Sequence, residues 1–213
     1  MKECDIFKSF LNSDTIWREV ERLSEAAPQM FHKAGLSLDL QEEDYDEASD
    51  QDIIVSSSAY AYKLFLPKSR RHRGLMLAFE MYRPVGHSPW EHARTALITC
   101  AYTPAYKDLW SLHMVLANES GYPSDNYTRE NSYLYPNVPE LVVWGKEDNT
   151  ARRSKVLLNE TDWFFSVPLL MIDSRQAFSK KIAQSCADLL KGVDPAIALG
   201  HSNAVRFNEW RKK

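Results

Sequence analysis

The sequence predicts an α+β protein with a mainly antiparallel sheet of about five strands and with N-terminal, central and C-terminal helices packed on it. Two patterns lead to this fold class. Apolar residues alternate on both sides of a short basic segment, as in a β-hairpin, and they recur every three or four positions near both ends of the chain, as in amphipathic helices. Because 213 residues can bury one substantial core, we expect a single domain over 1–213.

Residues 1–38 are expected to form an N-terminal helical arm. Asp14 can cap a first helix, and the apolar residues that follow it share one face. They are Ile16, Val20, Leu23 and Ala27. Pro28 is expected to open a new turn, and Gly35 is a natural stop. Because this arm is amphipathic, it must pack on the chain's own sheet or on a partner.

Residues 39–56 are predicted to be an acidic linker between the arm and an α+β body over 57–213. No Lys or Arg lies between Lys33 and Lys63, although eight acidic residues do. These are Asp39, Glu42, Glu43, Asp44, Asp46, Glu47, Asp50 and Asp52. A solvated linker is the simpler interpretation of such a charge run. The alternative is a strap that covers a basic surface and competes with an anionic ligand.

Within residues 66–76, the basic segment 68–73 is predicted to be the loop of a hairpin, with Pro67 at the end of the first strand and Gly74 at the start of the second. The apolar row of the first strand is Tyr60, Tyr62, Leu64 and Leu66, and that of the second is Leu75, Leu77, Phe79 and Met81. This period of two is typical of paired strands with one buried face. Pairing Leu66 with Leu75 would superpose the rows and would put Lys63 near Glu80 as a cross-strand charge pair.

The segment SPWE at 88–91 predicts a central helix that runs to about Ala101. Ser88, Pro89 and Glu91 form a capping box with proline at the first helical position. The predicted helix face consists of Trp90, Ala93, Leu97 and Ala101. A strand over 95–102 is the competing interpretation, because these residues have high β propensity. A second cap and proline at 103–104 predict another helix to Asn118.

Residues 118–139 have no usable period and are predicted to be a long loop with three prolines and four tyrosines. Strands are then expected over 140–145, 153–158 and 163–172, and Pro168 suggests that the last of them is at an edge or bulged. Asp173 and Ser174 start a C-terminal helix that stops at Gly192. Its apolar face is Phe178, Ile182, Cys186 and Leu189. Asp194-Pro195 and Ser202 open short terminal turns.

The three cysteines and the lack of long apolar runs indicate a cytoplasmic protein. Cys4, Cys100 and Cys186 are far apart and odd in number, which favours reduced thiols. A membrane span is not expected, because it would need a run of about 18 apolar residues. The phosphate-binding and dinucleotide-binding glycine motifs, H-E-x-x-H, C-x-x-C and G-x-S-x-G are all absent. We therefore predict no cofactor and no metal site.

The candidate catalytic residues are the titratable side chains near the start of the predicted central helix. They are Glu80, His87, Glu91 and His92, with Arg83 among them. Two imidazoles and two carboxylates could exchange protons near neutral pH or bind a metal. His113 could join them if the two central helices form a close pair. The capping box already explains Glu91, and a cross-strand pair with Lys63 explains Glu80, so no chemistry follows from the spacing alone.

Basic residues recur in three places and are candidates for nucleic-acid binding. The candidates are Lys68, Arg70, Arg71, Arg73, Arg152, Arg153 and Lys155, with Arg206, Arg211, Lys212 and Lys213 near the end of the chain. Phosphate binding requires several cations along one surface. Against this, the sequence pI of about 6.1 lacks the bias of a dedicated binder. Charge at a hairpin tip also has a structural reason, since it keeps strand ends solvated.

The tyrosine-rich loop favours a protein-binding surface. Its candidate residues are Tyr122, Tyr127, Arg129, Tyr133 and Tyr135. Rigid rings among small polar residues and Arg are typical of adaptable interfaces. The first hypothesis is therefore a cytoplasmic interaction or regulatory protein (an adaptor, inhibitor or complex subunit) without its own chemistry, with another protein as partner. The alternative is a nucleic-acid-binding protein, possibly a nuclease, that uses the basic loops and the histidine region.

Overall fold

The computed structural model describes residues 3–46, 57–65, 72–80, 96–109, 132–144 and 157–207. In this part of the chain the strands are β1 (Ser37–Asp46), β2 (Ser57–Phe65), β3 (Arg73–Glu80), β4 (Leu97–Thr103), β5 (Ser132–Tyr135), β6 (Val138–Trp144) and β7 (Trp163–Pro168). The helices are α1 (Glu3–Lys33), α2 (Arg175–Phe178), α3 (Ser185–Leu190) and α4 (Pro195–Leu199). Short 3-10 helices lie at Tyr106–Asp108, Leu158–Glu160 and Leu169–Met171.

The strands form one antiparallel sheet in the order β1-β2-β3-β4-β7-β6-β5. The first four strands follow one another as a meander, β5 and β6 form a hairpin at the far edge, and β7 returns between β4 and β6. The fold is α+β, as the sequence predicts, but the described residues contain seven strands instead of about five. The prediction missed β1, β4 and β5.

Helices from both ends of the chain cover the same face of the sheet. Val20, Ala27 and Phe31 of α1 and Phe178 and Ile182 of the C-terminal helices belong to one buried cluster with the inward row of the sheet. That row includes Tyr60, Tyr62, Leu64, Leu75, Leu77, Phe79, Ile98, Cys100, Tyr102, Trp163, Phe165 and Val167. The core therefore lies between the sheet and a layer made of the two terminal segments.

The N-terminal arm is one helix rather than two. α1 begins at Glu3, not at Asp14, and it continues through Pro28 to Lys33. A proline inside a helix removes the N–H that would bond to the carbonyl four residues earlier, here that of Ser24. The Tyr62 hydroxyl of β2 donates to the Ser24 carbonyl instead, at 3.1 Å. The sheet thus satisfies the acceptor that Pro28 leaves open, which explains why the helix does not end there.

Residues 39–46, predicted to belong to a linker, form most of β1. Leu38 and Leu40 are partly buried and pack against the core, whereas Asp39 between them is exposed. The backbone pairs with β2 from Ser37 opposite Phe65 to Asp46 opposite Ser57, with an irregularity between Leu40 and Glu42. Acidic residues are tolerated here because only one side of an edge strand has to be apolar.

The predicted hairpin is present with a different register. Tyr62 lies opposite Leu75, and Leu64 lies opposite Arg73, so the pairing is displaced by four residues from Leu66 opposite Leu75. A displacement by an even number keeps every side chain on its face, and the two apolar rows still coincide. Lys63 lies opposite Gly74, whereas the predicted register would place it near Glu80. Its ammonium donates to Gln41 at 2.6 Å and lies 5.2 Å from the Tyr106 ring centroid.

The predicted central helix is wrong for Leu97 to Ala101, which lie in β4; residues 88–95 are outside the described part. All seven residues of β4 are buried, because both faces of the sheet are covered there. Such a strand shows no alternation, so the spacing of Leu97 and Ala101 resembled a helical face by chance. After Pro104 the described chain forms the 3-10 helix Tyr106–Asp108, and residues 110–118 are not described.

Three predictions in the second half of the chain differ from the structure. The predicted loop over 118–139 ends in the β5–β6 hairpin, whose turn has Asn137 at φ 62°; residues 118–131 are not described. The predicted strand over 153–158 does not include Leu157 and Leu158, which precede and open a 3-10 helix. Pro168 is the last residue of an inner strand, and the next N–H, that of Leu169, donates to Ala96. Pro168 has no N–H to donate, but the pairing with β4 at this point uses the N–H of Leu169, so no hydrogen bond of this pairing is lost.

The C-terminal helix is confirmed. The Ser174 hydroxyl caps α2 by accepting from the Ala177 N–H, and a π-helical stretch, Ser179–Gln184, joins α2 to α3. The predicted face of Phe178, Ile182, Cys186 and Leu189 is completely buried. Cys100 and Cys186 are free thiols, and burial beside Cys100 raises the pKa of Cys186. No helix of the described residues has the length and apolar content that a membrane crossing requires.

Replacing Tyr62 with Phe should lower the free energy of unfolding by about 1–2 kcal/mol, because the buried Ser24 carbonyl loses its donor. In a Pro28→Ala background the same replacement should cost much less, since the N–H of residue 28 can then donate to Ser24. Chemical denaturation of the four proteins measures this coupling. Equal costs in both backgrounds would show that Tyr62 does not compensate for Pro28.

Candidate binding groove

A buried arginine at the start of β3 organises one end of the sheet. The Arg73 side chain donates to the Tyr102 hydroxyl of β4 at 2.7 Å and to the Glu160 carboxylate at 2.7 Å, and it also donates to the Asn159 carbonyl. The Tyr102 hydroxyl donates to that same carbonyl at 2.7 Å. These groups, here called the Arg73 cluster, join β3 and β4 to the Leu158–Glu160 turn.

Burial sets the ionisation of this cluster. Burial raises the pKa of Tyr102 well above its ordinary value, against the opposing effect of Arg73, so the phenol keeps its proton and can donate to Asn159. Burial also disfavours the charge of Arg73, but its bonds to Tyr102 and Glu160 outweigh that effect and raise its pKa. The cluster therefore consists of a cation, Arg73, that is bonded both to the neutral phenol of Tyr102 and to the carboxyl group of Glu160.

The other carbonyls of the same turn are held as firmly. The Leu158 carbonyl accepts from the Trp163 indole N–H of β7 at 2.9 Å. The Leu157 carbonyl accepts from the Glu160 N–H at 2.8 Å and from the Thr161 hydroxyl at 3.1 Å. Three successive carbonyls are thus fixed by groups outside or at the end of the turn, which makes residues 157–159 a rigid wall.

A second wall is the turn that follows α3. The Val193 N–H donates to the backbone carbonyl of Asp188 at 2.9 Å, and the Gly192 N–H donates to the backbone carbonyl of Leu189 at 3.1 Å. This is the bonding pattern of a Schellman motif. Gly192 has φ 80°, a conformation that favours glycine. The Lys191 ammonium donates to the Ala34 carbonyl at 2.9 Å, so this turn is also tied to the end of α1.

Between these walls lies a groove of about 680 Å³, lined by Tyr135 of β5, residues 157–159 and residues 189–195. Leu158, Leu189 and Leu190 give it a buried apolar floor, and the side chain of Leu157 on its rim is 68% exposed. Tyr135 is half-buried; burial and then the nearby Asp194 raise its pKa. The groove combines apolar surface with a few polar groups, as ligand and peptide sites do.

The residues predicted to bind a partner are only partly in the described chain. Tyr135 lines the groove. Tyr133 is buried at 9% exposure within β5. Tyr122, Tyr127 and Arg129 lie outside the described residues. The structure therefore places one of the five candidates at the groove and one in the core.

The predicted catalytic and nucleic-acid-binding residues are scattered or undescribed. Glu80 ends β3, where its backbone pairs with Ser57 and Leu97. Arg73 belongs to the buried cluster, and Arg206 is an exposed residue whose Nε lies 3.2 Å from Glu140. The undescribed candidates are Lys68, Arg70, Arg71, Arg83, His87, Glu91, His92, His113, Arg152, Arg153, Lys155, Arg211, Lys212 and Lys213. No group of three or more potential metal ligands occurs in the described chain.

Of the residues that line the groove, sequence reasoning identified only Tyr135. For Arg73, which supports one wall, a signal was available. Extending the apolar row Leu75, Leu77 and Phe79 backwards by two positions reaches Arg73, which therefore belongs to the buried face and not to the loop. For Asn159 and Asp194, no sequence pattern indicated a shared site. Comparison with protein-family models, curated proteins and solved structures finds no match to this chain.

The raised pKa of Tyr102 predicts a specific alkaline sensitivity. Above about pH 10 the unfolded chain loses the Tyr102 proton while the folded chain keeps it, so the stability supplied by this group falls with rising pH, by up to about 1.4 kcal/mol per pH unit. Tyr102→Phe should lower stability at neutral pH but should show a shallower decline at alkaline pH. Urea unfolding of both proteins from about pH 7 to about pH 11 measures this. Parallel declines would contradict it.

Proposed function

We propose that this chain is a cytoplasmic protein-interaction module without chemistry of its own, and that it docks a segment of another protein in the groove between residues 157–159 and residues 189–195. The observation that carries the proposal is the groove itself: a pre-formed apolar floor with an exposed leucine and a half-buried tyrosine at its edge. Tyrosine is enriched among the residues that carry most of the binding energy of protein interfaces, and the exposed leucine adds apolar surface beside it.

The rigidity of the groove supports docking of a partner. Both walls are held by hydrogen bonds within the chain: the Arg73 cluster fixes one wall, and the Schellman turn and the Lys191–Ala34 bond hold the other. A site that is already ordered loses little conformational entropy when it binds, so more of the contact energy appears as affinity.

The alternative, nucleic-acid binding, receives less support from the described residues. Of its candidate cations, Arg73 directs its guanidinium to Tyr102, Glu160 and Asn159 instead of to solvent. A guanidinium that is already paired and buried cannot neutralise a phosphate without breaking those bonds. Salt-dependent retention on immobilised DNA or RNA distinguishes this alternative from protein docking.

Substitution of Leu157 with Glu should abolish the partner complex. The change puts a charge on the apolar rim and should weaken binding at least about tenfold, which corresponds to about 1.4 kcal/mol. The tagged full chain is purified from its native cells, and the mass of the complex that it forms is measured. Cross-linking then identifies the residues of the two proteins that are in contact.

Leu170→Glu is the matched control, because Leu170 is 83% exposed and lies in the Leu169–Met171 turn away from the groove lining. The proposal requires that Leu170→Glu retain the complex that Leu157→Glu loses. Isolation of the wild-type chain without any partner, or equal retention by both variants, would contradict it.

A further inference from the structure

We infer that the place where β6 and β7 diverge is a docking site for an extended peptide segment, and that residues 205–207 of this chain occupy it as an internal ligand. A partner segment with an apolar, a basic and an aromatic residue in succession would make the same contacts and compete for the site. The site shares no residue with the lining of the groove, so the inference is independent of the function proposed above.

The site exists because the pairing between β6 and β7 stops short of their ends. Along β7 it extends to Phe164, which lies opposite Val142. In the neighbouring β5–β6 hairpin the register passes from Val142 to Val138, so residues 139–141 bulge out of that pairing. A bulge bends its strand and interrupts the ladder of hydrogen bonds. Backbone carbonyls of β6 and β7 are therefore open to a third segment here.

Residues 205–207 supply the donors for these carbonyls. The Val205 N–H donates to the Ser166 carbonyl of β7 at 2.8 Å, and the Phe207 N–H donates to the Pro139 carbonyl of β6 at 2.8 Å. The two donors are alternate residues, as in peptides that bind by adding to a sheet. The segment thus bonds to both strands through its main chain.

The side chains of the segment meet two chemically different surfaces. Phe207 is 5% exposed, and its ring centroid lies 5.5 Å from that of Phe164, which in turn lies 5.4 Å from that of Trp144. Arg206 is exposed, and its Nε lies 3.2 Å from the carboxylate of Glu140 in the bulge. An aromatic ring on the Trp144–Phe164 pair and a cation beside Glu140 therefore define what the site accepts.

The segment has a small attachment to the sheet, which makes it exchangeable. Of its three residues, Phe207 is buried, Val205 is partly buried and Arg206 is exposed. A segment held by one buried side chain and a few hydrogen bonds opens at a lower free energy than the inner strands do. A competing segment can therefore enter without unfolding of the sheet.

The first experiment uses the full chain, its Phe207→Ala variant and a fluorescent peptide, Ala-Val-Arg-Phe-Asn, that copies residues 204–208. Fluorescence anisotropy should show at least about tenfold tighter binding to the variant than to the wild type, because the attached wild-type segment competes at a high local concentration. A peptide with Ala in place of Phe should bind neither protein.

Glu140→Lys in the Phe207→Ala background tests the ion pair. It should weaken binding of the Arg peptide about three- to tenfold and should favour a peptide with Glu in place of Arg. Glu25→Lys is the matched control, because Glu25 is an exposed acid on α1, which covers the opposite face of the sheet. It should leave both affinities unchanged.

Hydrogen exchange of the wild-type chain tests the same inference without a substitution. The protection factors of the Val205 and Phe207 amides should be at least about tenfold lower than those of the β4 amides, because local opening releases them. Equal protection overturns the inference, and this measurement decides alone if Phe207→Ala does not fold.

The peptide results can also overturn it. Binding of the peptide to neither protein, or equal binding to both, contradicts an internal ligand. A wild-type dimer that Phe207→Ala abolishes, measured by sedimentation, would assign the site to the 205–207 segment of a second copy and would likewise contradict it.

Discussion

The fixing of the Asn159 carbonyl by Arg73 and Tyr102 is the interaction on which the candidate site depends. Two donors from adjacent strands, Arg73 of β3 and Tyr102 of β4, meet one acceptor on the turn that forms a wall of the groove. Loss of either donor would leave the carbonyl with one hydrogen bond instead of two and would remove one of the links between the sheet and the turn. Two residues of the sheet, Arg73 and Tyr102, therefore determine the position of the turn that forms one wall of the groove.

The sequence predicts much of the fold because apolar alternation and helix caps are local signals. The β2–β3 hairpin and the C-terminal helix were recognised in this way. β1 was not, because its acidic residues concealed the alternation of Leu36, Leu38 and Leu40. β4 was not, because a strand covered on both faces has no alternation to detect.

The site could not be predicted in the same manner, since its parts meet only through long-range pairing. Arg73 and Glu160 are 87 positions apart, and Lys191 and Ala34 are 157 positions apart. In the sequence, Arg73 stands at the end of a run of similar basic residues, so its composition alone does not mark it as buried. Only the alternation of side chains along the strand distinguishes Arg73 from its basic neighbours. This alternation shows on which face of the sheet Arg73 lies, but it does not show which residues Arg73 contacts.

The bond between Lys191 and Ala34 gives the N-terminal helix a role beyond covering the sheet. Gly35, with φ 90°, brings the end of α1 so close to this lysine that a Cβ atom there would lie 3.5 Å from the ammonium nitrogen. The first structural element of the chain thus supports one of the last. A protease or a competing helix that removed α1 would expose the core and would also release this wall of the groove. In the docking mode proposed above, dissociation of the arm and dissociation of the partner would therefore be coupled events.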